Sequence, residues 1–166
     1  MNEKLFNQVN LITTREQTEL VNFLHKHLDE FGDTKESISN SIEYAMDSNP
    51  AKGGFILQLS DGDSIIGVVV INRTGMEGYI PENILVYIAV HQEYRGKGLG
   101  KKLMKRSIQI SNGDIALHVE PDNPAKHLYA KLGFETPYLE MRYYKNGNDN
   151  NNQSALEEPA KTEHAS

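Results

Sequence analysis

The stretch that decides the fold begins as an apolar segment and ends as a glycine-rich turn. It reads Tyr87-Ile88-Ala89-Val90-His91-Gln92-Glu93-Tyr94-Arg95-Gly96-Lys97-Gly98-Leu99-Gly100-Lys101. The apolar part is typical of a buried strand, and a lysine-rich amphipathic segment follows up to Ser111. This order favours a site for a phosphorylated ligand. Glycine lets the main chain approach a ligand closely, and the first N–H groups of a helix have no internal partner.

Two common phosphate-binding patterns do not fit this turn. A Walker A loop needs Gly-Lys-Ser/Thr after four intervening residues, and at that distance from Gly96 the chain has Lys101 and Lys102. The dinucleotide fingerprint needs a glycine three places after its second glycine, where Lys101 again stands. What remains is the pattern Arg-x-x-Gly-x-Gly over residues 95–100.

A second pattern lies downstream of the turn. It reads Leu117-His118-Val119-Glu120-Pro121-Asp122-Asn123-Pro124-Ala125-Lys126-His127-Leu128-Tyr129-Ala130-Lys131-Leu132-Gly133-Phe134-Glu135. The two segments together resemble the GNAT superfamily of N-acetyltransferases, in which a strand leads through an asparagine to a helix that bears Leu-Tyr and ends in Gly-Phe. The resemblance covers about residues 83–145, and the elements before it come in the order of the family.

The resemblance implies a mixed α/β (α+β) fold. A central, mostly antiparallel sheet of six to seven strands would contain one parallel, splayed pair and be flanked by about four helices. Residues 1–145 are expected to form a single GNAT domain. Residues 146–166 are rich in asparagine and acidic side chains and bury little, so they are expected to be a disordered tail.

Local signals place the elements along the chain. Strand-like patterns predict strands over 9–13, 54–60, 64–72, 83–90, 115–119 and 139–144. Helical spacing predicts helices ending near Leu28, over about 35–46 and 98–111, and up to Leu132. Two capping boxes open the first two helices, formed by Thr13 with Glu16 and by Asp33 with Glu36. On the first helix, His25 and His27 are expected at the surface.

Composition excludes several classes of function. The chain has no cysteine, so disulfides, thiolate nucleophiles and cysteine metal sites are excluded. A net charge of −6 argues against general nucleic-acid binding. No apolar run approaches membrane-spanning length, and the polar start is no signal peptide. We therefore expect a cytoplasmic protein with neither nucleic acid nor membrane as a partner.

The resemblance also implies that the donor substrate is acetyl-CoA and that no metal is needed. Main-chain groups of Ile88 and Val90, with Ala89 between them, would bond to the pantetheine arm in the gap of the sheet. The residues expected to surround the pyrophosphate are Arg95, Gly96, Lys97, Gly98, Leu99, Gly100 and Lys101. Asn123 would contact the cofactor near the pantetheine. Its position before Pro124 also predicts a helix cap, and both roles are compatible.

For the chemistry, the resemblance makes Tyr129 the general acid that protonates the departing thiolate. The base that deprotonates the amine is open. Some family members use a glutamate in the central strand, but residues 84–90 of this chain contain none. Three candidates remain, together with a water relay that needs no dedicated base. They are Glu120, His118 and Glu82.

The leading hypothesis is an N-acetyltransferase in which a primary amine attacks acetyl-CoA directly in a ternary complex. The acceptor would be a small-molecule or peptide amine. Acidic side chains near the first two helices either favour a cationic acceptor or form a solvated helix end; they are Asp29, Glu30, Asp33 and Glu36. The alternative is a non-catalytic module that binds or senses acyl-CoA, and transfer of a longer acyl group also stays open. A homodimer would be in keeping with the family, although no apolar stripe requires one.

Overall fold

The computed structural model describes residues 1–146 of the chain. Residues 1–135 form one compact unit, and a second unit begins at Thr136. Residues 136–146 contain neither helix nor strand, so the strand predicted over 139–144 is wrong. An apolar alternation becomes a strand only where a neighbour completes its hydrogen-bond ladder, and these residues form no ladder. Apart from Asn146, the predicted tail lies outside the described residues, and the predicted domain boundary stays a prediction.

The compact unit contains four α-helices and five strands. In chain order the elements are β1 (Asn2–Phe6), α1 (Thr14–His27), α2 (Lys35–Met46), β2 (Gly54–Asp61), β3 (Ser64–Arg73), β4 (Asn83–Val90), α3 (Leu99–Ile110), β5 (Ile115–Leu117) and α4 (Ala125–Lys131). Short 3₁₀ turns cover Asp29–Phe31 and Gln92–Tyr94. Among residues 1–146, no helix is long and apolar enough to cross a membrane.

The strands form one sheet in sequential order, β1 to β5. The first three pairings are antiparallel, and β4 pairs with β5 in parallel. This confirms the predicted fold class, a mostly antiparallel sheet with one parallel pair and four helices. The sheet has five strands within the described residues, fewer than the predicted six to seven.

The first strand lies earlier in the chain than predicted. Residues 9–13 are not a strand, and Val9 is 94% exposed. The Asn7 side chain accepts hydrogen bonds from the N–H groups of Val9 and Asn10, which makes this segment a turn. The observed strand β1 pairs with β2 at the edge of the sheet. Strand β1 was not predicted because its charged residues interrupt the apolar pattern, although charges are common on edge strands.

The two predicted capping boxes have different outcomes. Thr13 and Glu16 form the complete reciprocal pair at the start of α1, as predicted. At the start of α2, the cap is Thr34, whose hydroxyl accepts from the N–H of Ser37, and not Asp33. The Asp33 carboxylate accepts a hydrogen bond from the hydroxyl of Tyr87 on β4. The carboxylate therefore joins the α1–α2 connection to the central strand.

The sheet carries a core on each face. On one face, α1 and α2 pack their apolar stripes against side chains such as Ile56, Val68 and Ala89. On the other face, α3 and α4 pack against Leu57, Val69 and Leu85. Strand β4 contributes alternate side chains to both cores, as the two-residue period of a strand requires. Any ligand that reaches the middle of β4 is therefore placed between the two helical layers.

Candidate functional site

The sheet opens between β4 and β5. Only three residue pairs join these strands, Asn83 with Ile115, Ile84 with Ala116 and Leu85 with Leu117. On its other side, β4 pairs with β3 from end to end, apart from a bulge at Val86. Residues 86–90 of β4 therefore have a strand partner on one side only. The splay that the resemblance implied is present in the structure.

Hydrogen bonds at the end of β4 show which peptide groups face this opening. The N–H of His91 donates to the carbonyl of Ile66 on β3 at 2.9 Å, so it faces β3. Because peptide groups alternate between the two sides of a strand, those of Ile88 and Val90 face the opening. In agreement, the Val90 carbonyl accepts a hydrogen bond from Arg95 Nε at 3.2 Å. Of the main-chain groups assigned to the pantetheine arm, the open edge thus offers those of Ile88 and the N–H of Val90, while the Val90 carbonyl already accepts from Arg95.

The glycine turn lies above this opening, between β4 and α3. Gly96 and Gly98 have φ angles of +77° and +80°, which side chains rarely permit. A Cβ added to either would meet no atom within 4 Å, so the turn borders open space. No side chain caps the start of α3, whereas a threonine hydroxyl caps both α1 and α2. The free N–H groups and the helix dipole fit an anion such as the acetyl-CoA pyrophosphate.

Packing at Gly100 joins the turn to the second sequence motif. A Cβ on Gly100 would lie 3.3 Å from Leu128 Cδ2 and 4.0 Å from Val90 Cγ2. Leu128 lies on α4, and Val90 ends β4. The glycine therefore lets α3, α4 and the end of β4 approach one another. The structure brings together two motifs that are separated in the sequence.

Tyr129 follows Leu128 on α4 and lies in the same core as Ile88 and Val90. Its side chain is 7% exposed, and its ring centroid is 5.9 Å from that of Phe134. Among the described residues, its hydroxyl makes no hydrogen bond. Burial raises the pKa of this phenol to about 12, so the hydroxyl keeps its proton at neutral pH. A buried ring with a protonated hydroxyl available to a ligand fits the role that the resemblance gave it.

Arg95, the first residue of the glycine pattern, is engaged by protein groups. Its Nη1 donates to Asp29 Oδ2 at 2.9 Å, and its Nη2 donates to the carbonyl of His27 at 2.7 Å. Its Nε donates to the Val90 carbonyl. The guanidinium thus joins the end of β4 to the end of α1, a role that local sequence patterns did not indicate.

His27 is buried, with 5% exposure, and not at the surface as predicted. Its ring lies between Phe23 and His91, with centroid distances of 4.6 and 4.3 Å. Burial, followed by the charge of His91, lowers the pKa of His27. The spacing did contain the signal, since position 27 continues the apolar stripe of Leu20 and Phe23.

The acidic side chains near the first helices are not simply a solvated helix end. Asp29 pairs with Arg95, and Asp33 bonds to Tyr87, whose pKa rises through burial and this contact. Glu30 and Glu36 are exposed. Two of the four carboxylates therefore already have partners within the protein and are poor candidates for binding a cationic acceptor.

The three candidate bases lie in different places. Glu82 precedes β4, and its Oε2 accepts from the N–H of Asp114 at 2.7 Å. Backbone hydrogen bonds, this one first, lower its pKa. At about 3.3 Å per strand residue, Glu82 lies roughly 25 Å from Val90 at the open end. His118 and Glu120 follow β5, are exposed and make no side-chain hydrogen bond to any described residue.

Asn123 contacts the start of α4, although the cap position is Pro124 and not Asn123 as predicted. Its Oδ1 accepts from the N–H of Ala125 at 2.9 Å, and its carbonyl accepts from the N–H of Lys126 at 3.3 Å. The amide nitrogen of its side chain donates to no described residue and is available to a ligand. A contact with the start of α4 and a contact with the cofactor are therefore compatible.

The surface of the compact unit has depressions beside α3 and at the amino end of β4. One, of about 420 Å³, follows the basic face of α3 from Gly98 and is lined by Glu3, Gly98, Lys101, Lys102, Lys105, Arg106 and Gln109. A larger one, of about 730 Å³, lies at the amino end of β4 beside Asn83 and Arg73. Within residues 1–146, no group of three or more histidine, aspartate or glutamate side chains could hold a metal ion.

Comparisons with known proteins agree with the resemblance to acetyltransferases. A sequence model of the acetyltransferase (GNAT) family matches residues 18–134. N-alpha-acetyltransferase 30 of Schizosaccharomyces pombe is 33% identical over 94 residues, which are 54% of this chain and 63% of that protein. N-alpha-acetyltransferase RimI of Mycobacterium tuberculosis is 30% identical over 86 residues, 51% of this chain and 54% of that protein. The matched segments thus span less than two thirds of these relatives.

Solved structures give the same fold. An aminoglycoside antibiotic 6'-N-acetyltransferase from Acinetobacter haemolyticus superposes with a TM-score of 0.61 at 17% identity. The match covers 87% of this chain and 98% of that one. At this level of identity the likeness shows the shared architecture alone.

Proposed function

The chain belongs to the acetyltransferase (GNAT) family, and on that premise we propose that it transfers the acetyl group of acetyl-CoA to the α-amino group of a peptide. The observation that carries the transfer is the packing at Gly100, where Leu128, the neighbour of Tyr129 on α4, meets the uncapped start of α3 and the open end of β4. The names of the two curated relatives, both N-alpha-acetyltransferases, support the choice of acceptor.

The donor turn, which we define as residues 91–101, would hold the pyrophosphate with the N–H groups of Gly98, Leu99, Gly100 and Lys101. Lys97 and Lys101 add positive charge without any ion pair to a described residue. The main-chain groups of Ile88 and Val90 would bind the pantetheine arm, with Ala89 between them. The amide of Asn123, which follows β5 in the chain, would contact the donor near the pantetheine.

When bound, the donor supplies an acetyl thioester that an amine can attack. The nitrogen–carbon bond forms as the carbon–sulfur bond breaks, the amine loses a proton, and the sulfur leaves as a thiolate that gains one. Tyr129 would donate its hydroxyl hydrogen bond to that sulfur. A phenol of pKa about 12 is a weaker acid than a thiol in water, but burial raises the pKa of both groups. Because the phenol and the thiolate share the same apolar surroundings, Tyr129 would still be able to donate its proton to the sulfur.

The candidates for the general base that we favour lie at the carboxyl end of β5. Glu82 is tied to backbone N–H groups at the far end of β4, which leaves His118, Glu120 or a water molecule between them. Replacing each side chain separately, His118→Asn and Glu120→Gln, distinguishes them. Substitution of the residue that serves as the base should shift or abolish the acidic limb of the pH–rate profile, and the other substitution should leave that limb unchanged.

The function is tested by thiol release from acetyl-CoA with matched acceptors. One peptide has a free N-terminus and no lysine, and a second has a blocked N-terminus and one lysine. A polyamine and an aminoglycoside complete the panel. We expect turnover with the first peptide only, with the acetyl group located on its α-nitrogen by mass spectrometry.

Other results would contradict this proposal in distinguishable ways. Acetylation of the blocked peptide, the polyamine or the aminoglycoside would change the acceptor class and keep the transfer. Tight binding of acetyl-CoA with no turnover across the panel would instead favour the non-catalytic binding module.

A further inference from the structure

We propose that Arg95 is a positioning residue that couples the donor turn to residues 28–34, and that its guanidinium does not bind the pyrophosphate. Residues 28–34 form the connection between α1 and α2, where the resemblance leads us to expect the acceptor, and the inference rests on the proposed function. It assigns to the first residue of the glycine pattern a task different from phosphate binding.

The geometry of the guanidinium carries the inference. Its three hydrogen bonds reach three separate places, namely the Asp29 carboxylate, the His27 carbonyl and the Val90 carbonyl. One of these lies on the open edge of β4, and two lie at the end of α1. A planar guanidinium offers five donors in a fixed fork. The fork is directed at protein acceptors that are 66 and 68 residues away in the sequence.

Gln92 makes the same connection a second time. Its Nε2 donates to Asp29 Oδ1 at 2.9 Å, and its backbone N–H donates to His27 Nδ1 at 3.3 Å. Both oxygens of the Asp29 carboxylate therefore accept hydrogen bonds from the donor turn. Two parallel contacts between the same pair of segments restrict their relative movement more than one contact would.

The backbone at Asp29 agrees with a segment that is held in place. Among residues 1–146, it is the only residue other than glycine with a positive φ, at +53°. Such a conformation persists where surrounding contacts impose it. Farther along the same segment, the Asp33 carboxylate accepts from the Tyr87 hydroxyl at 3.0 Å. Residues 28–34 are therefore attached at one end to the donor turn and at the other to the middle of β4.

Charge explains why Arg95 is a weaker candidate for the phosphate than its neighbours. Its positive charge already faces the negative charge of Asp29 at 2.9 Å. Lys101 is in the first turn of α3, is exposed and has no hydrogen bond or ion pair among the described residues. A pyrophosphate gains more from an uncompensated cation than from one that already has a carboxylate partner. When acetyl-CoA binds at the donor turn, Arg95 would instead transmit the effect to residues 28–34 and reduce their mobility.

The experiment compares Arg95→Gln and Asp29→Asn with Lys101→Gln. Arg95→Gln and Lys101→Gln each remove one positive charge, and asparagine at position 29 tolerates the positive φ. Affinities for acetyl-CoA and for acetyl-pantetheine, which has no pyrophosphate, are measured by titration calorimetry. The KM of the acceptor peptide and the hydrogen exchange of residues 28–34, with and without acetyl-CoA, are measured on the same proteins.

We expect Lys101→Gln to reduce the preference for acetyl-CoA over acetyl-pantetheine severalfold while the acceptor KM stays unchanged. Arg95→Gln and Asp29→Asn should keep that preference and raise the acceptor KM about tenfold, the scale of one charge-assisted hydrogen bond. In the wild-type chain, acetyl-CoA should slow exchange in residues 28–34, and both variants should lose this response. If Arg95→Gln does not fold, Asp29→Asn alone gives the same readouts.

Two results would overturn the inference. If Arg95→Gln lowered the preference for acetyl-CoA as Lys101→Gln does, Arg95 would be a pyrophosphate ligand. If acetyl-CoA bound to the wild-type chain without affecting residues 28–34, the two segments would not be coupled. A wild-type chain that bound no acetyl-CoA would overturn the proposed function as well, so the two failures are distinguishable.

Discussion

The two ends of β4 differ in how the polar groups on the β5 side of the strand are used. At the amino end, the Asn83 side chain is buried and donates to the carbonyls of Asn112 and Asp114 at 2.8 and 3.2 Å. The Glu82 carboxylate accepts the N–H of Asp114. At the carboxyl end, β5 has already left the sheet, and the peptide groups of Ile88 and Val90 face the opening.

The difference shows how a continuous sheet provides a ligand site. Three residue pairs and the contacts of Asn83 fix the point at which β4 and β5 separate. Beyond that point, unpaired backbone groups would be costly if they were buried without partners. A ligand that supplies alternating amide groups, as a pantetheine arm does, would replace the missing strand. We call residues 83–85 the closed end of β4 and residues 86–90 its open end. The pairing at the closed end thus sets where the open end begins.

The largest effect should come from removing the Tyr129 hydroxyl, which makes no hydrogen bond to any described residue. Tyr129→Phe keeps the buried ring and deletes the donor to the departing sulfur. General acids contribute roughly 10²–10⁴ in rate, so we expect turnover to fall at least about 100-fold with little change in acetyl-CoA affinity. Steady-state kinetics and calorimetric binding check this expectation. Wild-type turnover in the variant would remove Tyr129 from the mechanism.

Gly98→Asp should act on the open end through charge. The added Cβ has free space, but the carboxylate would face the pyrophosphate at the uncapped start of α3. We expect acetyl-CoA affinity to fall about 100-fold, equivalent to roughly 2.7 kcal/mol. Gly78→Asp is the matched control, because Gly78 also has a φ of +80° and free space around its Cβ, in the loop before β4.

The control separates strain from electrostatics. Both aspartate variants place a side chain at the same unfavourable φ, so they should lose similar stability in thermal melts. Only Gly98→Asp should lose acetyl-CoA binding. Equal binding by the two variants would contradict the assignment of the donor turn.

The local parts of this site could be predicted from the sequence, and the long-range parts could not. Strand β4, the glycine turn and the short helix with Tyr129 each have a signature within a few residues. The partners of Arg95 lie 66 and 68 residues away, and no local period encodes them. The same holds for Asp33, whose carboxylate reaches Tyr87 and leaves the cap to Thr34. The elements that border the proposed donor site could thus be predicted, while the attachment of the glycine turn to α1 could not.

At the closed end, Asn83→Ala should destabilise the fold. It leaves the carbonyls of Asn112 and Asp114 without their side-chain donor, and the loss of buried hydrogen bonds costs about 1–3 kcal/mol. Denaturant unfolding measures this loss, and Asn112→Ala, which keeps the accepting backbone carbonyl, is its control. If Asn83→Ala were as stable as the wild-type chain, the closed end would not depend on this side chain.

The smallest effect that we expect is a change of local stability with pH, which should differ between the two ends of β4. His27, which accepts the N–H of Gln92 through Nδ1, faces His91, Lys26, Arg95 and Asp29. Because its pKa in the folded chain lies below the ordinary value of 6.5, the unfolded chain binds a proton more readily. The stability that neutral His27 contributes is therefore present above pH 6.5 and is lost as the pH falls through its lowered pKa.

Hydrogen exchange between pH 7.5 and 5.5, corrected for the intrinsic rates, should show this change locally. We expect residues 91–98 to lose protection as the pH falls, while residues 112–115 at the closed end keep theirs, since backbone hydrogen bonds lower the pKa of the Glu82 carboxylate that holds the Asp114 N–H. His27→Asn, whose side-chain oxygen can accept the same N–H, should remove the pH dependence. Equal loss of protection at both ends, or a dependence that survives in His27→Asn, would mean that His27 does not control the open end.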